Sequence, residues 1–267
     1  IKGSFGEINL GSENSAMYKM HYSPTDYGIG INSGDQIDWA GVSGSGISTS
    51  GYFRNPYGST YAEPGAANDS EKITYYTPRF GGFQVGVSYS PDGNQDSNTS
   101  PDRNAAATDM VAVGANFKGD FAGASVGISG GYGKFMNSAS GSSNEPEAWN
   151  VGANIGVGGF SFGASYAKAN DNTNGNNGDG YNIGVAYSTG PLGVSLTYFD
   201  GERDGTTTAG VTTGHAEQKT VHLSANYTLG PGVTAAATLG HANFDSNDTG
   251  VNEIEATYFV TGIKLSF

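Results

Sequence analysis

Cysteine is absent from this chain of 267 residues, so neither disulfides nor thiolate metal sites can form. No run of about 20 apolar residues occurs, which excludes a transmembrane helix. Charged residues make up 14% of the chain, well below the usual ~25%, and the net charge is -13. That balance argues against nucleic-acid binding, which needs clustered basic residues, and fits a protein that holds or passes cations. No cleavable signal is recognisable, which suggests a mature form or a fragment.

Glycine, in contrast, is abundant, with 44 residues, more than twice the average usage of about 7%. It follows no three-residue period, so the composition is not that of collagen. Aromatic residues reach 12% and the apolar residues are strongly patterned, which excludes a disordered chain.

The last residues of the chain alternate in character. Successive side chains of a strand point to opposite faces, so this strand has one apolar face and one face of small or charged groups. The apolar parity ends on an aromatic residue, which resembles the terminal signature by which outer-membrane β-barrels of bacteria are recognised for insertion. The residues that carry this signature are Phe259, Ile263, Leu265 and Phe267.

A hairpin repeat fills residues 72–267. Its connections alternate between tight turns, near Gly81, Gly119, Gly158, Gly190 and Gly230, and long loops at 91–108, 135–147, 169–180, 200–217 and 245–253. Together with a first strand at residues 1–11, the pattern predicts twelve strands. Short turns at one end and long loops at the other are typical of up-and-down outer-membrane barrels. The sequence therefore predicts an all-β fold, a transmembrane antiparallel barrel that forms a single domain over residues 1–267.

The two faces of these strands predict which side meets lipid. One parity is apolar and uncharged, as in Phe83, Val85, Val87 and Tyr89, and a Lys or Arg on a lipid face would cost roughly 2 to 4 kcal/mol at the bilayer midplane. The opposite parity is small and polar and is predicted to line water. Aromatic residues cluster at both strand ends, as expected for interfacial girdles.

Residues 12–71 interrupt the repeat and lose its alternation. An unstructured loop of that length inside a compact domain usually means a functional insertion or a wrong assignment of elements, and we interpret it as functional. It is rich in Gly, Ser, Asn and Tyr and carries several acids.

The segments GSFGEINLG at 3–11 and ITYYTPRFGGFQVGVSYSP at 73–91, with the terminal KLSF, resemble a general (non-specific) porin of the alphaproteobacterial kind. The resemblance implies a sixteen-stranded homotrimer in the outer membrane, with extracellular loops, a periplasmic C-terminus and a third loop folded into the lumen. Lys2 to Leu10 would then be the fifth strand, and Ser12 to Glu71 would contain the constriction loop. Four preceding strands of the family are missing, so we expect a chain without its N-terminal portion.

This resemblance implies passive diffusion of ions and small hydrophilic solutes, without a cofactor. We expect Asp26, Asp35, Asp38 and Glu63 to form an acidic constriction with weak cation preference. Opposite them, the residues predicted to face the lumen from the wall are Glu7, Lys72, His222 and Lys264.

Two other classes stay open. A twelve-stranded outer-membrane enzyme of the phospholipase type needs a Ser and a His on the lipid face, whereas His222 lies on the polar parity. A β-rich surface adhesin would extract from membranes without detergent. Two Gly-x-Ser-x-Gly matches, at Gly123–Gly127 and Gly127–Gly131, lie within one strand and lack the strand-to-helix turn of a nucleophile elbow.

Metal binding has little support in the sequence. The four histidines lack metal-ligand spacing. The acidic loop Asp171–Gly180 is compatible with calcium, although it lacks the Gly and Glu of the EF-hand pattern.

Overall fold

A computed structural model describes residues 1–31, 35–42, 54–94, 100–102, 104, 106–140, 145–170, 177–208, 211–247 and 253–266. This part of the chain is almost entirely β-structure. In chain order, its strands are β1 Lys2–Gly3, β2 Gly6–Ser12, β3 Glu71–Tyr76, β4 Phe83–Asp92, β5 Thr108–Phe121, β6 Ala124–Asn137, β7 Glu147–Val157, β8 Phe160–Asn170, β9 Gly178–Thr189, β10 Leu192–Arg203, β11 Thr206–Thr208, β12 Val211–Thr213, β13 Ala216–Gly230, β14 Val233–Ser246 and β15 Ile254–Leu265.

Helical structure in the described residues is confined to single turns. These are α1 Ala16–Lys19, α2 Gln36–Trp39 and a 3-10 turn at Pro64–Ala66. No helix in this part of the chain is long and apolar enough to cross a membrane.

Thirteen strands form one antiparallel sheet in which neighbours follow chain order, while β11 and β12 pair separately in the connection after β10. Antiparallel neighbours can be joined by tight hairpins, and this connectivity confirms the predicted all-β, up-and-down fold. Over the described residues, no ladder joins β15 to β1 or β2.

The first predicted strand, residues 1–11, is divided in the structure. Lys2 pairs with Glu7 and Gly3 with Gly6, so the chain reverses within it and the sheet gains a thirteenth strand. Gly6 has φ +117°, a conformation that glycine adopts without a steric penalty. The next strand, β3, ends at Tyr76, two residues before a proline that cannot donate a ladder hydrogen bond.

The apolar parity lies on the outer face of the sheet, as predicted, and is open to the surroundings. Phe162 is 51% exposed, Ile183 50% and Leu223 55%. An exposed apolar surface of this extent marks a contact with another apolar phase.

The buried apolar residues instead lie between the inner face and residues 12–71, which we call the insertion. One cluster joins Met17 and Ala62 of the insertion to alanines of β5, β7 and β8. A second joins Val42 and Tyr57 to β13, β14 and β15.

The prediction that the polar parity lines water is therefore wrong where the insertion covers it. Asn150 is 1% exposed and His222 0%. Small polar side chains are needed there because a polypeptide backbone packs against the wall and must form hydrogen bonds.

Candidate functional site

Residues 15–31 of the insertion run across the inner face of the sheet from one strand to the next. Backbone amides along this path donate hydrogen bonds to wall serines: Ala16 to Ser88 of β4 at 2.8 Å, Tyr22 to Ser129 of β6 at 2.7 Å, and Tyr27 to Ser195 of β10 at 3.0 Å. The wall thereby supplies hydrogen-bond acceptors for backbone amides of residues 15–31, an irregular segment that pairs with no strand.

Between these anchors, the insertion lies directly on wall glycines. A Cβ at Gly152 of β7 would stand 1.7 Å from the Tyr22 carbonyl oxygen, and one at Gly163 of β8 would stand 2.6 Å from the Pro24 Cα. Both distances are far inside van der Waals contact, so only glycine permits this approach.

The far end of the segment is held by β14 and β15. Thr238 Oγ1 accepts a hydrogen bond from the Ile29 amide at 2.9 Å and donates one to the Ile29 carbonyl at 3.1 Å. Lys264 Nζ donates to the Gly28 carbonyl. These hydroxyl anchors were not predicted from the sequence, and the signal that could have indicated them is a Ser or Thr at mid-strand on the polar parity.

Asp26 is attached to the wall. Its Oδ2 lies 3.5 Å from Nδ1 of His222 on β13, and its Oδ1 accepts a hydrogen bond from the Gly28 amide at 2.9 Å. On the other side of the imidazole, Nε2 lies 2.7 Å from the Tyr258 hydroxyl of β15. A line of polar groups therefore links two strands to the insertion.

Glu63 is also buried, with 1% exposure. Its Oε1 accepts a hydrogen bond from the Ser15 amide at 2.6 Å, which joins the two ends of the insertion. Burial raises the pKa of Glu63 above its ordinary value, and the hydrogen bonds of Ser15 and the charge of Lys72 only partly oppose this.

Lys72 does not present its ammonium group to a lumen. Its Nζ donates to the carbonyls of Ala67 at 2.8 Å, Asn68 at 3.1 Å and Ser70 at 2.8 Å, and the residue is 5% exposed. It acts as a clamp on the end of the insertion.

Asp35 and Asp38 differ from the two buried acids because both are exposed. They belong to the turn of α2, whose Ile37 and Trp39 pack on the inner-face cluster of β13 to β15. The Trp39 ring centroid lies 5.7 Å from that of Tyr258. The inner surface at α2 therefore carries two exposed carboxylate groups.

A packed aromatic group lies near the start of the path. The His21 and Tyr61 rings meet edge to face at 4.7 Å, the Tyr18 ring lies 5.0 Å from Tyr61, and the Arg54 guanidinium lies 4.4 Å from the Tyr18 ring. His21 Nε2 lies 3.2 Å from Thr60 Oγ1. Burial lowers the pKa of His21 to about 3, so this imidazole is neutral over the physiological range.

The remaining predicted site residues fall on both faces. Glu7 is half-buried opposite Tyr76 of β3 and 3.4 Å from the ammonium group of Lys2. On the outer face of β15, Phe259 is 69% exposed, Ile263 58% and Leu265 59%. Phe267 lies outside the described residues.

Neither metal nor nucleophile chemistry gains support. Across the described ranges, no three His, Asp or Glu side chains converge as a metal site. Positions 171–176 of the acidic loop considered for calcium lie outside those ranges. Ser129, the serine of one Gly-x-Ser-x-Gly match, lies within β6, and its Oγ accepts a hydrogen bond from the Tyr22 amide.

Comparison with known proteins places this arrangement in a family. The profile of the family described as Gram-negative porin matches residues 1–247. The chain belongs to that family, whose members are outer-membrane channels.

An uncharacterized protein of Rickettsia bellii is 25% identical over 305 residues, covering 90% of this chain and 68% of the relative. The anion-selective porin from Comamonas acidovorans has 18% identity and a TM-score of 0.55, covering 98% of this chain and 74% of that porin. Outer membrane protein OmpT of Vibrio cholerae, in its trimer form, has 14% identity and a TM-score of 0.58, covering 98% of this chain and 77% of OmpT. At these identities, the solved structures inform on the fold alone.

Proposed function

We propose that this protein passes ions and small hydrophilic solutes passively across the outer membrane, with the insertion as the constriction and a weak preference for cations. The observation that carries the proposal is the seating of residues 15–31 on successive strands from β4 to β15, inside a sheet whose outer face is apolar. A segment fixed in this way narrows a passage to a constant width, because hydrogen bonds from its backbone to the wall at intervals keep it from moving across the opening.

The cation preference rests on which charges stay exposed. Asp35 and Asp38 are exposed at α2, whereas Lys72 is bound to backbone carbonyls and Arg203 is 2% exposed. Charges in a narrow passage set ion preference. The Comamonas porin of similar fold is anion-selective, so the fold alone does not favour cations and the proposal depends on these charged groups.

The test is a reversal-potential measurement in a planar bilayer with a potassium chloride gradient. We expect the wild type to favour potassium, and the double variant Asp35→Asn, Asp38→Asn to lose most of that preference. Glu255→Gln is the matched control, because Glu255 is 69% exposed at its side chain on the outer face and its loss leaves the passage unchanged. Equal permeability of both ions in the wild type would refute the cation preference while leaving the channel itself in place.

We further propose a homotrimer with the long loops extracellular and the C-terminus periplasmic. The trimer form of OmpT and the alternation of short turns and long loops typical of such barrels support this arrangement. The mass of the detergent-solubilised complex checks the first point, and protease cleavage at the long loops on intact cells checks the second.

A phospholipase-type enzyme has less support. His222 is fully buried between Asp26 and Tyr258, so no substrate reaches it. His241 lies on the outer face, 3.0 Å from Thr257 and 3.5 Å from Glu255, and an assay of the purified protein for fatty-acid release decides this alternative.

A further inference from the structure

A pocket of about 330 Å³ opens on the exterior of the sheet, at the end that carries the long loops. Its side chains come from β7, β8 and the adjoining ends of β9 and β10, and comprise Glu147, Trp149, Lys168, Asn170, Asn177 and Asp204. Its volume falls in the range of about 300 to 1,000 Å³ that is usual for small-ligand sites.

The sheet fixes the positions of these groups. Trp149 is paired with Lys168, and Glu147 with Asn170, across the β7–β8 ladder. Glu147 is further oriented by the Tyr132 hydroxyl, which donates to its Oε2 at 2.7 Å. On the opposite wall, the Asp204 amide donates to the Asn177 carbonyl at 2.7 Å, which joins the chain segments next to β9 and β10.

The chemistry of the lining is that of a polyhydroxylated ring. Trp149 is 38% exposed and its indole supplies an apolar platform, as aromatic residues with one wet edge do. Two amide groups offer both donors and acceptors, and two carboxylates accept from hydroxyl or ammonium donors. An aromatic residue that only anchored the barrel in lipid would not need five polar side chains around it.

Charge narrows the ligand class. The lining holds two carboxylates and one ammonium group, and the neighbouring Lys134 is engaged by Glu145 at 2.7 Å. A net negative lining disfavours phosphate and uronic acid groups and favours neutral or cationic ones. We propose that this pocket binds a neutral or amino-substituted sugar ring.

The sugar could belong to a glycolipid headgroup or to a free oligosaccharide. Both offer the same ring, and the pocket lies just beyond the outer apolar band, where β7 and β8 leave the region of Val151 and Phe162. The experiment must therefore separate the two sources.

The chain contains two tryptophans, which gives a direct reporter. In the variant Trp39→Phe, Trp149 is the sole indole, and we would titrate the protein in detergent with a glucosamine disaccharide. The second arm uses nanodiscs of phosphatidylcholine with or without a glycolipid bearing that disaccharide. We expect a saturable change in emission in at least one arm. A response to the free disaccharide assigns a soluble ligand, and a response only to the glycolipid assigns a headgroup.

Matched variants decide whether the response comes from the pocket. Asp204→Asn and Asn170→Ala, each in the Trp39→Phe background, should weaken binding at least about tenfold, the effect of losing roughly 1.4 kcal/mol of polar contact. Trp149→Phe, which keeps Trp39 as reporter, should show no change. Heat-modifiable migration confirms that each variant is folded. A conductance equal to that of the Trp39→Phe background shows that the pocket substitutions leave the passage unchanged, which keeps the result independent of the channel proposal. Absence of saturation in both arms, or an undiminished response in both polar variants, overturns the proposal.

Discussion

The two faces of β13 differ sharply in exposure. His222 and Ser224 are 0% and 2% exposed, while Leu223 between them is 55% exposed. In water, this pattern would leave a large apolar surface unpaired. Here the apolar side chains meet lipid and the polar ones hold the insertion. Whether a side chain of β13 is buried therefore depends on what its face adjoins, lipid or the insertion, and not on its hydropathy.

Acidification should affect the inner face most strongly. The pKa of His21 is held at about 3 by burial, against about 6.5 in the unfolded chain. When the insertion leaves the wall, the exposed His21 imidazole takes up a proton below pH 6.5, whereas the buried imidazole does not. The attachment of the insertion to the wall is therefore fully stable above that pH and weakens as the pH falls toward 3. The loss is about 1.4 kcal/mol per pH unit, or on the order of 5 kcal/mol in total.

Single-channel recordings and protease cleavage of the insertion between pH 7 and pH 3.5 measure this effect. His21→Gln should remove it. The raised pKa of Glu63 has the opposite effect. The buried carboxyl binds a proton more readily than the exposed one, so a falling pH stabilises the attachment of the insertion through Glu63. His241→Gln removes an exposed outer-face histidine and serves as the control. A wild type and His21→Gln variant with the same acid response would contradict the assignment.

A charge introduced on the outer face should have the next largest effect. Leu223→Lys, near the middle of β13, should destabilise the folded barrel by about 2 to 4 kcal/mol. Thr228→Lys places the same side chain on the inner parity near the turn, where the residue is exposed, and should cost far less. Urea unfolding in phospholipid vesicles compares the two, and equal costs would show that β13 has no lipid-facing side.

Filling the contact between wall and insertion should have a smaller effect. Gly152→Ala places a methyl group against the Tyr22 carbonyl, and overpacking of this kind costs about 1 to 3 kcal/mol. We expect a displaced insertion and a higher conductance. Gly130→Ala is the matched control, because its Cβ would have no neighbour nearer than 3.8 Å. An unchanged conductance in Gly152→Ala would mean that the insertion does not set the width.

The smallest expected effect is that of a single anchor. Thr238→Val keeps the shape of the side chain but removes both hydrogen bonds to Ile29, at a cost of about 1 kcal/mol. Hydrogen exchange of the Ile29 amide should accelerate in this variant. Thr234→Val, a half-buried residue on the same parity of β14, should leave that amide protected.

The sequence predicted the sheet well because the alternation of apolar and polar residues is a local signal. The outer position of Leu223 and Phe259 could be read from it directly. The burial of the acidic side chains could not be predicted in this way. Asp26 and Glu63 are buried by partners as distant in the chain as His222, whereas Asp35 and Asp38 are exposed. Lys72 was predicted to face a lumen because its parity is polar, but nearby carbonyls of the insertion bind it instead. The abundance of glycine in the composition did not indicate that Gly152 and Gly163 are contact points for the insertion.

The anchors of the insertion also bear on how the protein assembles. Ala16 reaches its partner across 72 residues of chain, Tyr27 across 168 and Gly28 across 236. Contacts of such long range form slowly because their loop-closure entropy is not offset until intervening strands have paired. The Gly28 anchor can thus form only after β15 has joined the sheet, so the far end of the insertion would still be unattached in a barrel halted partway through biogenesis.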